Sequence, residues 1–175
     1  MSEEFVERLR EYHEEFYSKF IDYMNEVEHG FMDQDDLTPE DLHRGKHFLA
    51  HGIAEQFRAK QELLFESSQV LSNPLLDSIR QLHERCLHSI RQLHDSVNQL
   101  THADASEEDR VQQPRTILRH LHQIDALLGI TFEIEENCFG KVNLEEKKQA
   151  QLFERLDEGL KENTGCASQG KHQMN

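Results

Sequence analysis

The chain has 175 residues, 34 acidic against 19 basic, for a formal charge of −15. That surplus opposes direct binding to DNA, RNA or an anionic membrane, all of which recruit Lys and Arg. With 36% hydrophobic residues, 8 glycines, 3 prolines and no tryptophan, it has too few turn-formers for a β-sandwich, a barrel or repeated βαβ units.

The opening segment MSEEFVERLREYHEEF carries acids where a signal peptide would carry an apolar core, which predicts an intracellular chain of cytoplasm or nucleus. No run approaches the roughly 20 apolar residues that span a bilayer. Cys86, Cys138 and Cys166 are scattered without C-x-x-C spacing and read as reduced thiols.

In chain order, the first predicted helix covers residues 3–28. Phe5, Leu9, Tyr12, Phe16, Phe20, Tyr23 and Val27 recur every three or four positions and form one amphipathic stripe. A polar break at 29–36 follows. The second helix is predicted over 38–71, with Thr38 as cap, Pro39 in its first turn, and Glu40 and Asp41 at the positive end of the dipole. Its stripe of Leu42, Leu49, Ile53, Leu63 and Val70 is interrupted by Lys46, Gln56 and Lys60. At 1.5 Å per residue it would be about 50 Å long, the length of a rod or a bundle member.

Asn73-Pro74 opens the third helix, which runs to about residue 100. Its stripe is Ile79, Leu82, Cys86, Ile90, Leu93, Val97 and Leu100. The hexapeptide SIRQLH occurs at 78–83 and again at 89–94, an offset of 11 residues that returns to the same helix face. This narrow stripe predicts a coiled-coil seam that needs a second stripe from a partner, with a member of a closed bundle as the other reading.

Residues 104–113 read as a polar linker between a helical region at 1–103 and a small domain at 114–162. In that domain a short helix with Ile117, Leu121, Ile124 and Leu128 should stop at Gly129. Ile130, Phe132 and Ile134 then alternate with polar residues, which predicts a strand, and residues 138–142 its return. Asn143 and Glu146 resemble a capping box for a last helix with Leu144, Phe153, Leu156 and Leu160. Residues 163–175 read as a disordered tail. The predicted fold class is therefore mainly α, long amphipathic helices in a coiled coil or bundle, with a small C-terminal α+β hairpin–helix element.

The 12 histidines invite a test for metal spacing. His47, His51 and Glu55 sit four apart, and His120 precedes Asp125 by five, echoing two ligand motifs of hemerythrin-like di-iron bundles. On the third helix His83 and His88 are five apart and point to different faces, so solvated surface histidines are the preferred reading, with no metal or other cofactor expected. No Gly-rich phosphate loop, G-x-S-x-G or Cys–His pairing is present, and the chain is not read as an enzyme.

The run Leu128-Gly129-Ile130-Thr131-Phe132-Glu133-Ile134-Glu135, between a short heptad helix and a hairpin return, resembles the C-terminal domain of the small coiled-coil subunits of the outer kinetochore. The resemblance implies a non-catalytic linker with an RWD-like end domain, pairing through its coiled coil and docking a further protein. On this expectation the coiled-coil stripe pairs with a homo- or hetero-oligomeric partner, and Phe132, Ile134, Phe139 and Val142 form the docking end. The competing expectation is a compact helical bundle holding a metal or small ligand.

Overall fold

The computed structural model describes residues 2–32, 37–67 and 69–172, with side chains through Leu160. Among the described residues the chain forms five helices and no strand: α1 (Ser2–Met32), α2 (Pro39–Glu66), α3 (Asn73–Thr101), α4 (Glu107–Gly140) and α5 (Glu146–His172). The mainly α expectation holds.

Local chemistry sets the helix starts. Thr38 Oγ1 accepts from the Asp41 N–H at 3.2 Å and the Asp41 carboxylate accepts from the Thr38 N–H at 3.2 Å, a reciprocal capping box. Ser106 and Asp109 repeat it at α4. That box turns the expected linker at 104–113 into the first two turns of α4, beginning at Glu107. Pro114, in the third turn, removes one N–H donor without stopping the helix.

The four long helices run up, down, up and down. Pairings along each contact show it: Arg10 meets Glu136 while Tyr17 meets Asp125, and Gln61 meets His83 while His43 meets Thr101. Gln99 meets Gln113 while His83 meets Glu135, and His13 meets Lys60 while Tyr23 meets Leu42. One hydrophobic cluster fills the interior from Phe5 to Leu160. At one end Tyr23 packs onto Gly45 so closely that a Cβ there would lie 2.0 Å from the ring. At the other, α5 folds back across α2 and α1. Arg155 pairs with Glu62, Lys148 with Glu66 and Arg8 with Asp157, over buried Leu152, Phe153 and Leu156.

The predicted hairpin is replaced by helix: residues 130–140 complete α4. Apolar alternation misleads there because Ile130 points to solvent at 51% exposure, whereas Leu128, Thr131, Phe132, Glu135, Cys138 and Phe139 are buried at helical spacing. Two polar members, Thr131 and Glu135, hid that period from an apolar tally. Gly129 does not end the helix; it lies exposed on α4 with open space where a Cβ would sit, at a propensity cost of about 1 kcal/mol relative to Ala.

Other boundaries shift as well. α1 continues through 29–32, and residues 33–36 of the expected break lie outside the described residues. α2 stops at Glu66, capped by Ser67, leaving Val70 exposed. α5 begins at Glu146, with the Glu145 carbonyl accepting the first helical bond, so Asn143 is not its cap. The helix extends to His172, since no proline after Leu160 forces a stop, and the last three positions of the expected tail lie outside the described residues.

Candidate functional site: a sealed ion pair among four helices

Each long helix turns a polar side chain into the core at one level of the bundle: His13 from α1, Lys60 from α2, His83 from α3 and Glu135 from α4. All four are buried, and Lys60, His83 and Glu135 are 0% exposed. The Lys60 Nζ donates to Glu135 Oε2 at 2.5 Å, His13 Nε2 at 2.8 Å and Gln56 Oε1 at 2.8 Å. An ammonium has three N–H donors, and all three are used.

The two imidazoles orient the carboxylates. His83 Nδ1 accepts from the Gln61 amide at 2.6 Å, which leaves Nε2–H to donate to Glu135 Oε1 at 2.7 Å. His13 accepts from Lys60 at Nε2, which leaves Nδ1–H to donate to Glu136 Oε1 at 2.8 Å. Each ring is clamped by an aromatic face: His13 stacks on Phe132 at 4.0 Å between centroids and His83 on Phe57 at 3.9 Å. The Phe132 face also lies 4.9 Å from Lys60 Nζ, a cation–π contact. The Gln56 Nε2 has no hydrogen-bond partner among the described residues.

Charge in such a place is costly. Burial pushes the Lys60 ammonium down, and Glu135 opposes that shift. For Glu135, burial alone would raise the carboxyl; the Lys60 charge, together with the hydrogen bond from His83, more than cancels it and holds it well below the usual range. The carboxylate is therefore held ionised, and the three acceptors around Nζ match an ammonium, whose desolvation is offset by that hydrogen bonding. The network reaches the surface through His13, Glu136 and Arg10. The His13 hydrogen bond lowers the Glu136 carboxyl. Burial pushes the nearby Cys86 thiol up to about 12, which leaves it unreactive.

A second lysine lies fourteen residues earlier on the same α2 stripe. Lys46 is 3% exposed, and its Nζ meets His43 Nδ1 at 3.1 Å and Asn98 Oδ1 at 3.2 Å. Burial lowers its ammonium too.

The residues singled out by sequence fall elsewhere. His47 and His51 lie on the exposed side of α2, and Glu55 pairs with Arg58. His120 is buried on α4 beside Gln123, and Asp125 accepts from the Tyr17 hydroxyl. The five do not converge, and among the described residues no group of three or more His, Cys, Asp or Glu could hold a metal ion. The predicted partner seam is turned into the chain's own core: Ile79, Cys86, Ile90, Leu93 and Val97 are buried, and Leu100 packs half-buried against them. Leu82 is off the seam and half-buried, because His83 occupies the heptad position between Ile79 and Cys86. Phe132, Phe139 and Val142 are also buried in the core, with Ile134 packed at its edge, so the expected docking residues face inward.

Sequence reasoning missed His13, His83 and Glu135. The available signal was the polar interruption of the second helix by Gln56 and Lys60: a lysine inside an apolar seam requires a carboxylate on a facing helix. No family model, no curated protein and no solved structure matches the chain.

Proposed function

We propose that this chain is a non-catalytic protein-interaction subunit, built on a closed helical bundle whose central cation is its own lysine. The supporting observation is the complete burial of Lys60, His83 and Glu135 with their polar atoms turned on one another. Lys60, His83 and Glu135 are closed off from any substrate, and the position where a cation would be coordinated is filled by an ammonium. What remains for function is the exterior, which at a charge of −15 selects protein partners, in homo- or hetero-oligomers, over nucleic acid or membrane. Among the described residues no helix is long and apolar enough to cross a membrane. A place at the outer kinetochore rests on a hairpin reading of residues 128–142, and with helix in that segment the proposal stops at an interaction subunit.

Elemental analysis of the purified full-length chain, paired with thermal melts with and without a chelator, tests the reading. Metal well below one ion per chain and an unchanged melt are expected. Stoichiometric zinc or iron, lost in His13→Ala or His83→Ala, would overturn it in favour of a metal-holding bundle.

A further inference from the structure

The outer face of α3 and the adjoining face of α4 enclose an open groove of about 900 Å³. Its floor is made of small or short side chains, Ser89 from α3 with Ala126 and Leu127 from α4. Arg85, His88 and Arg91 line it from α3. In a chain with 34 acids, six of the eleven arginines pair with carboxylates (Arg8, Arg10, Arg44, Arg58, Arg80 and Arg155), while Arg110, Arg115 and Arg119 on α4 have no ion-pair partner among the described residues. Arg85 and Arg91 have no ion-pair partner among the described residues. Two arginines against one acid, Glu84, make the groove lining a small positive island on an acidic protein.

The SIRQLH repeat gives this island its dimensions. Its two copies place Gln81 and Gln92 at equivalent positions on the outer face of α3, and both line the groove. Eleven residues at 1.5 Å put them about 17 Å apart, or three helical turns. Gln123 adds a third amide from the α4 side. Gln81 and Gln92, with Arg85 and Arg91 between them, offer donors over three turns to carboxylates spaced three or four residues apart on a docking helix, while Ser89 and Ala126 leave room for its backbone to approach.

We propose that the α3–α4 groove docks an acidic amphipathic helix of about three turns from a partner protein. The carboxylates of that helix are taken by Arg85 and Arg91 and its small apolar face lies on Ala126 and Leu127. The groove's two arginines, set against Glu84, are too few for sustained contact with a phosphate backbone, which separates the site from a nucleic-acid surface. The inference rests on the interaction-subunit reading and names the surface it uses.

The test is fluorescence anisotropy with the intact chain and a labelled synthetic helix of Glu, Ala and Leu, glutamates at i, i+4 and i+7, beside the same peptide with glutamine for glutamate. Saturable, salt-sensitive binding of the acidic peptide is expected, weakened about tenfold or more in Arg85→Glu/Arg91→Glu. Ala126→Glu, which fills the floor, should weaken it independently, and Arg58→Glu on α2 should not. Melting curves confirm that the variants fold. No saturable binding by the wild-type chain, equal binding by the double variant, or a preference for single-stranded DNA or phosphatidylserine vesicles would each overturn the proposal. A metal-free, chelator-indifferent chain that ignores the peptide sinks the groove alone and leaves the closed-bundle reading standing.

Discussion

Lys46 and Lys60 lie on the same stripe of α2, two heptads apart, and both are buried, yet the fold treats them differently. Lys60 meets a carboxylate and two further acceptors, is fully enclosed, and ties α2 to α1 and α4, with α3 joined through His83 on Glu135. Lys46 meets only neutral partners among the described residues, His43 on its own helix and Asn98 on α3, near an exposed edge. Burial of a lysine is thus not one structural event. At the centre, the ammonium can stay charged only because a countercharge is buried with it. At Lys46 the stem buries its methylenes and the head meets only the neutral His43 and Asn98. The central lysine commits four helices to one register; the outer one fills space.

Removing the countercharge is the harshest way to break this contrast. Glu135→Leu strands the Lys60 charge and should cost about 3–5 kcal/mol in urea unfolding. Adding Lys60→Met removes both charges, and this double variant should be more stable than Glu135→Leu alone; additive losses would mean the pair is not coupled. At the other end the constraint is steric. Gly45→Ala presses a methyl into the Tyr23 ring and should cost about 1–3 kcal/mol despite a better helix propensity.

Acid titration sharpens the comparison further. Glu135 and Glu136 both titrate below the ordinary glutamate value in the folded chain. The stability they contribute is present above the unfolded value of 4.5 and is lost as pH falls through the folded values. Unfolding midpoints from about pH 7 to about pH 3 should therefore drop, and the drop should be shallower in Glu135→Gln. The smallest effect belongs to Lys46→Met, which should change stability by less than about 1 kcal/mol and leave the acid slope intact, since no buried charge loses its partner. A loss as large as that of Glu135→Leu would show that Lys46 anchors the fold as Lys60 does.

Much of the helical layout is legible in the chain, because its causes are local. Thr38 with Pro39 marks α2, Asn73-Pro74 marks α3, and the stripe from Phe5 to Val27 is buried as its spacing predicts. Reading fails where polar residues occupy core positions. Placing Leu82 in the α3 seam and strands at 130–142 both follow from discarding His83, Thr131 and Glu135 as surface residues.

Spacing, capping and composition thus determine by themselves that the chain is helical, where most helices begin and which faces are apolar, since each depends on residues within a turn or two of one another. Whether a stripe is covered by a partner or by the same chain is decided only when the helices pack, and here α4 and α2 cover α3. The central network is decided there too. Lys60 finds Glu135 across 75 residues of sequence, His13 across 47, and His83 finds Glu135 across 52. No local preference encodes those distances; the low dielectric of the closed core forces each buried polar group to a partner, and only the folded bundle supplies one.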